Sequence, residues 1–303
     1  MSNKQVKIKW SVSQKEDGML LRCFLREVKG LSKKTLADIK FKGGFIFLNG
    51  EEVTVRTTVC TDDEVEIHLP EEKKSESLKE EVIPFDILFE DDHMLVINKP
   101  PGMPTIPSRQ HPSGTLANAV MGYYHKGNIS STFHAVNRLD RDTSGLLVVA
   151  KHGFAHDQLA KAQKAGKLKR FYRAIVEGCV QPSTGTIYAP IGRKPTSIIE
   201  RMVTPYGQVA ITHYKVIASN EHFSEVEVDL QTGRTHQIRV HFAHLHHPLV
   251  GDDLYGGETV LLNRQALHCA RLELIHPFTG DKHVFVCPLP QDIKMVKEAA
   301  CLQ

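Results

Sequence analysis

The amino-acid sequence predicts a mixed α+β protein in two parts. A large unit is built on a mixed, largely antiparallel β-sheet with flanking helices, and a small α/β unit precedes it. Three observations predict this. The chain has 303 residues, more than one compact domain usually holds, so two domains are the default. Residues 71–83, EEKKSESLKEEVI, are mostly charged, with Leu78, Val82 and Ile83 as the large apolar residues, and Pro84 follows. That is the composition of a linker, with a short solvated helix as the variant. Beyond it, β-branched and apolar runs bounded by turn residues alternate with shorter stretches of helical period, as in an α+β unit. The expected boundaries are 12–71, a linker over 72–83, and 84–295.

In the small unit, Met19, Leu20, Cys23, Phe24 and Val28 suggest an amphipathic helix ended by Gly30. Ser32 can cap a second helix, with Leu31 and Leu36 as a hydrophobic staple and Gly43–Gly44 as its end. Phe45–Leu48, the Asn49–Gly50 turn and residues 53–57 read as a hairpin, and residues 65–69 as a further strand. Lys33, Lys34, Lys40 and Lys42 lie on or near the second helix, a pattern that by itself is more often a solvated face. In the large unit, residues 94–98, 146–151, 171–177 and 224–230 are strand candidates. Residues 155–165 read as a helix closed by Gly166. Thr235 can cap another that runs through His244, with Ile238, Phe242 and Leu245 on one face.

Composition narrows the function classes. With 41% hydrophobic and 24% charged residues the chain is of ordinary globular type. A net charge of +3 permits a nucleic-acid partner only through local basic clusters. The cysteines at 23, 60, 179, 269, 287 and 301 form no CxxC pair, which argues against a disulfide framework or a zinc site and for a reducing compartment. The N-terminus lacks the apolar core of a signal peptide, and no apolar run approaches membrane-spanning length. A cytoplasmic monomer without a membrane partner is expected.

Chemistry concentrates in three stretches. HAVNRLDRDTSGLLVVAK (134–151) sets Arg138, Asp140, Arg141 and Asp142 against the start of an apolar strand. A surface ion-pair ladder would explain the charges, and a reactive carboxylate held by a rigid element would explain their position. KLKRFYRAIVEG (167–178) carries Tyr172 in an apolar run, where a tyrosine is usually core. LQTGRTHQIRVHFAHLHHPLVGDDLYG (230–256) gathers Arg234, His236, Gln237 and Arg239 at a helix start, a ready anion site. The same stretch is rich in histidine but contains no HExxH pattern, and no metal is expected. The turns around Gly251–Asp252–Asp253 and Tyr255–Gly256–Gly257 read as structural.

Together with VINKPPGMPT (96–105), TLANAV (115–120) and ALHCARLELIHP (266–277), these stretches resemble, in order, the RluA/RluD family of RNA pseudouridine synthases. Residues 18–70 resemble the small RNA-binding domain first known from ribosomal protein four of the small subunit. The resemblance implies Asp140 as the catalytic carboxylate, Tyr172 as the active-site tyrosine and Arg239 as the basic partner of Asp140. It implies that Leu272 touches the target base and that Arg138 helps displace the target uridine. Asn137 stands where relatives usually have His; it keeps hydrogen-bonding capacity without titrating and is expected to orient RNA. Lys33, Lys34 and Lys40 are expected on RNA phosphates, and Arg234, His236 and Gln237 as further RNA contacts.

The chemistry is consistent with these residue types. Isomerising uridine breaks N1–C1′, turns the uracil and joins C5 to C1′, so no cofactor is required. A carboxylate attacks C1′ or takes the C2′ proton, an arginine keeps it ionised, an aromatic face holds the uracil and a phenol could accept the C5 proton. The base must be flipped out of its stack, at a cost of on the order of a few kcal/mol. A non-catalytic RNA-binding module, a nucleoside hydrolase or glycosidase, and a metal-dependent RNA hydrolase are the competing readings. The expected partner is structured RNA, with large-subunit ribosomal RNA favoured and transfer RNA the alternative.

Overall fold

The computed structural model describes residues 5–72 and 78–302. The small unit holds a sheet of four strands, β1 (Lys7–Ser11), β2 (Phe45–Leu48), β3 (Glu51–Glu52) and β4 (Glu64–His68), in the order β1-β4-β2-β3. Helix α1 (Leu21–Cys23) continues as a π-helical turn over Phe24–Val28, and α2 (Lys33–Phe41) is capped by Ser32, whose hydroxyl accepts from the Thr35 N–H at 3.0 Å. Leu21, Phe24, Leu25, Ile39, Val65 and Ile67 form its core. Strand β1 antiparallel to β4 brings residues ahead of position 12 into this sheet. The expected hairpin is shorter than the sequence suggests. Val53 still donates to the Ile46 carbonyl at 3.0 Å, but residues 54–57 leave the ladder because the carbonyls of Val55 and Thr57 accept from the Arg22 and Leu21 N–H groups, the otherwise unpaired donors at the start of α1.

The large unit is a ten-stranded sheet. Its elements in chain order are β5 (Asp86–Glu90), β6 (Met94–Lys99), α3 (Leu116–Lys126), β7 (His134–Ala135), β8 (Ser144–Ala150), α4 (Gly153–Lys164), β9 (Leu168–Glu177) and β10 (Thr184–Tyr188). A separate two-stranded ribbon, β11 (Ile191–Arg193) and β12 (Arg201–Val203), comes next. Then follow β13 (Ile211–Ser219), β14 (Phe223–Leu230), α5 (Gln237–His244), β15 (Leu267–Ile275), β16 (Lys282–Val286) and α6 (Gln291–Ala299). The order is β10-β13-β14-β9-β15-β8-β6-β5, with β16 on β15 and β7 on β8. Every pairing is antiparallel except β8 with β15. The mixed, largely antiparallel α+β architecture is therefore the one the sequence predicts. Strand β8 is buried along its whole length, which explains why its sequence is a continuous apolar run.

That single parallel contact depends on Gly145. Its φ is +108°, and a Cβ there would stand 2.3 Å from the Cys269 carbonyl oxygen. Only glycine lets β8 start this close to β15.

Of the charged stretch 72–83, residues 73–77 lie outside the described residues. The described ends are fastened rather than solvated. The Glu72 carboxylate accepts from the Gly153 N–H at 2.7 Å and pairs with His134 at 2.7 Å. Leu78 packs on the large core, and the Asn118 amide donates to the Lys79 carbonyl at 2.8 Å. The two units also share side chains. Phe154, at the start of α4, is buried in the core of the small unit, and Gln158 and Lys161 on the same helix donate to the Gly30 carbonyl at 3.2 and 2.7 Å. Phe154→Ala is expected to lower stability by about 3–5 kcal/mol and to loosen this junction, as denaturant unfolding combined with limited proteolysis after residue 72 will show. Unchanged unfolding would mean that the units are independent.

Candidate active site

The loop from Arg138 to Thr143 crosses the start of β8 and is held from several sides. The Thr105 hydroxyl donates to the Leu139 carbonyl at 2.7 Å, and the Leu139 N–H returns to that hydroxyl at 3.2 Å. Lys99, fully buried, donates from Nζ to the carbonyls of Pro100, Met103 and Arg141 at 2.8, 2.8 and 2.9 Å. Burial pulls its ammonium down to about 7, against the opposing pull of the Asp142 and Asp140 charges. Arg264 donates to the Asp142 carbonyl at 2.9 Å while its other nitrogens grip Asp292. Gln265 donates to the Thr143 hydroxyl at 3.0 Å. Within the loop, Arg141 and Asp142 pair with each other. The ladder reading thus describes these two residues and leaves Asp140 to a different partner.

That partner is Arg239 on α5, whose Nη1 donates to Asp140 Oδ2 at 3.1 Å. The other edge of the same guanidinium is clamped by Asp252, with Nε to Oδ2 at 2.7 Å and Nη2 to Oδ1 at 2.8 Å. Asp252 is fully buried, and Arg239 stacks over the Tyr255 ring at 5.0 Å. Burial opposes the charge of Arg239, but the Asp252 hydrogen bonds and the Asp140 charge outweigh it and hold the guanidinium above its usual pKa. His236 has its Nδ1 2.8 Å from the Tyr255 hydroxyl and its Nε2 3.9 Å from Asp140. Burial lowers its pKa, against the pull of Asp140, and favours the neutral ring.

These residues open on a cleft of about 580 Å³ lined by Asp140, Tyr172, Arg239, Asn137, Arg138, Arg170, Arg234, His236 and the apolar Leu139, Leu230, Ile238 and Leu267. The volume suits one small organic group such as a nucleoside. Tyr172 is buried at the floor, and burial pushes its phenol well above the usual range, with Cys269 and Asp140 adding and Arg170 opposing. Arg138 and Arg234 are exposed at the rim. A second groove lined by Arg138, Arg193, Arg201 and Arg234 continues beside it. Among the described residues, no group of three or more His, Cys, Asp or Glu could hold a metal ion.

The arrangement can be set against known proteins. The family profile described as RNA pseudouridylate synthase matches residues 93–244, which include the loop, β9 and α5. A Bacillus subtilis (strain 168) relative named as the uncharacterized RNA pseudouridine synthase YjbO is 52% identical over 88% of this chain and 95% of its own length. The chain belongs to the RNA pseudouridine synthase family. Ribosomal large subunit pseudouridine synthase D of Pseudomonas aeruginosa is 40% identical to it over 83% of this chain and 82% of that protein. The solved structure of human RNA pseudouridylate synthase domain containing 4 has the same fold, with TM-score 0.59 at 24% identity over 72% of this chain and 93% of that one. The synthase therefore isomerises uridine to pseudouridine in RNA.

The synthase brings Asp140, Tyr172 and Arg239 to one cleft from three separate stretches, with Asn137, Arg138, Arg234 and His236 around them. Other expected residues stand differently. Leu272 is fully buried and does not line the cleft; Leu267, at the start of the same strand, does. Gln237 is buried with its polar atoms already engaged. Its carbonyl accepts from the Thr232 hydroxyl and the Arg234 N–H, and its amide donates to the Ile211 carbonyl and Thr212 hydroxyl. It shapes the turn into α5 and has no donor or acceptor left for RNA. The expected cap Thr235 is displaced by His236, whose φ of +57° starts the helix one residue later and aims its ring at Tyr255. Asn137 is buried, and its carbonyl accepts from the Val148 N–H at 2.9 Å. Lys33, Lys34 and Lys40 are exposed on α2, outside the cleft lining.

The sequence reading passes over Lys99, Thr105 and Arg170, and takes Asp252 and Tyr255 as structural turn residues. The signal was present in VINKPPGMPT and PLVGDDLYG, where a lysine before two prolines and paired aspartates in a glycine-bounded turn are unusual for plain loops. Lys99→Met is expected to leave three carbonyls without their donor and let the Asp140 loop drift, cutting turnover by about 100-fold with a smaller change in RNA affinity. Single-turnover kinetics test this, and parental rates would remove Lys99 from the site.

Proposed function

We propose that Asp140 is the nucleophile or base at the ribose of a flipped uridine, that Tyr172 faces the uracil, and that Arg239 pairs with Asp140 and aims it. One observation carries this reading. A single guanidinium is clamped by a buried carboxylate on one edge and offers its remaining edge to a carboxylate that opens on the cleft. Asp252 fixes Arg239, so Asp140 meets an oriented cation instead of a mobile one. Tyr172 supplies the ring against which the detached uracil turns. With its phenol held protonated in the free protein, it is a poor resting base, so its ring is the more direct contribution. Arg138 at the rim fills the space left by the flipped nucleotide.

The substrate is structured RNA in the cytoplasm, and large-subunit ribosomal RNA is the favoured class. Relatives named as ribosomal large subunit pseudouridine synthase D support this. The test is a pseudouridine map of ribosomal and transfer RNA from cells with and without the gene. A large-subunit position should vanish and return with the parent chain but not with Asp140→Asn. Loss confined to transfer RNA would overturn the ribosomal assignment.

The small unit is proposed to grip RNA phosphates through Lys33, Lys34 and Lys40 of α2. Their joint replacement by alanine should weaken binding and lower the log–log salt slope by about one unit for each phosphate no longer neutralised, while the rate at saturating RNA stays near parental. Binding measured at several salt concentrations decides, and an unchanged slope rejects this role for the three lysines.

A further inference from the structure

We infer that Arg170 is a further catalytic residue of the cleft: its guanidinium contacts the uracil and takes up the negative charge the base carries once N1–C1′ has broken. This rests on the reading of the Asp140 cleft as the place of reaction.

Arg170 is 5% exposed, yet among the described residues it makes no hydrogen bond and no ion pair, and its Nε is buried without a partner. The other buried cations are satisfied. Lys99 has three carbonyls, Arg239 has Asp252 and Asp140, and the largely buried Arg264 has Asp292. A buried charge without a partner is costly, and a fold retains one where a ligand completes it. Position says which ligand. Side chains alternate along β9, so Leu168, Arg170, Tyr172 and Ala174 share its buried face, and Arg170 and Tyr172 line the cleft side by side. A Cβ at residue 233 would lie 3.3 Å from Arg170 Nη2, so Gly233 leaves the guanidinium room beneath the turn into α5. Phosphates keep their hydration and follow the exposed rim arginines, whereas the recessed floor receives the part of the nucleotide that leaves water, the base.

Two further buried polar atoms without partners line the same cleft, Asn137 Nδ2 and Gln163 Oε1. The Asn137 amide is oriented by its carbonyl, which accepts from Val148, so its free group is a donor. Two donors and one acceptor complement the two carbonyls and the N3–H of uracil.

The step balances without a co-reactant. N1–C1′ breaks and its electron pair stays on N1, spreading to O2 and O4. C5 then bonds to C1′, C5 loses a proton and N1 gains one. The guanidinium keeps its own protons throughout and acts by its charge and as a hydrogen-bond donor.

The test uses the full chain and a transcript of the RNA segment carrying the mapped uridine, made with uridine or with 5-fluorouridine, whose departing anion is more stable. Arg170→Met fills the space without charge, and Arg170→Lys restores a point charge. For Arg170→Met the saturating single-turnover rate of uridine loss should fall by about 100-fold or more, with Kd for RNA changed less than about threefold. Its melting temperature should be no lower than the parent's, because an unpartnered buried charge has been removed. Arg170→Lys should recover part of the rate, and the deficit should shrink to about tenfold or less on cleavage of 5-fluorouridine. A weaker Kd and lower salt slope at an unchanged saturating rate would make Arg170 a phosphate contact and overturn the inference. Equal deficits on both bases, or a loss of rate that follows a loss of folding in both variants, would overturn it too. Asp140→Asn run in parallel separates the two claims. If it converts uridine, the cleft reading fails. If it is inert while Arg170→Met works at the parental rate, only the Arg170 inference fails.

Discussion

Pseudouridine formation is expected to fall below detection when Asp140 is replaced by asparagine. The substitution keeps size and removes the anion, so neither attack on C1′ nor proton removal from C2′ remains available. Loss of a covalent or basic catalyst usually costs several orders of magnitude in rate. The fold should persist, because Arg239 keeps Asp252 and the loop keeps its anchors on Thr105, Lys99, Arg264 and Gln265. Stability within about 1 kcal/mol of the parent is expected, with RNA binding largely retained. The measurement is pseudouridine content after single-turnover incubation, beside a binding isotherm. Activity within about tenfold of the parent would remove Asp140 from the chemistry.

Arg239→Met should damage both stability and catalysis, and the two effects can be separated. Asp252 is fully buried, and the loss of its cation leaves an uncompensated charge, a change that typically costs about 3–5 kcal/mol. Adding Asp252→Asn removes that charge and should recover most of the stability. It should not recover turnover, because Asp140 still lacks the oriented cation that aims it. Denaturant unfolding and single-turnover rates on the single and double variants form the experiment. A double variant that regains activity along with stability would show that Arg239 only supports the fold.

Much of this site is legible in the sequence because its chemistry is concentrated in short stretches. Asp140 and Arg239 are 99 positions apart, and no periodicity joins them; family resemblance implies their pairing, and the sheet supplies the contact. What stays hidden depends on side-chain direction. Leu272 is five positions beyond Leu267 on β15, roughly 16 Å along a strand, and a bulge between Cys269 and Arg271 shifts the pairing with β9 on the way. No apolar pattern reveals which of two leucines faces a cleft under those conditions. Gln237 has the composition of an RNA contact, yet the turn from β14 into α5 consumes its whole amide. Asp252 reads as a turn residue and is one, but the turn also inserts its carboxylate beneath Arg239. Burial, which sequence expresses only on average for charged residues, changes their meaning.

The linker departs from expectation for a related reason. Its charges suggest solvent, but Glu72 finds backbone donors and a histidine, while Phe154 completes the core of the small unit from the other side.

If the small unit grips RNA as proposed, helix α4 joins two addresses on that RNA. Phe154, Gln158 and Lys161 hold the small unit, and Gln163, two positions beyond Lys161, lines the cleft. Both attachments sit on this one rigid helix. An RNA gripped by the small unit would present its uridine at a span fixed by this shared helix. A target would then be chosen by its distance from a docking element as well as by its immediate sequence, so that the enzyme works as a gauge.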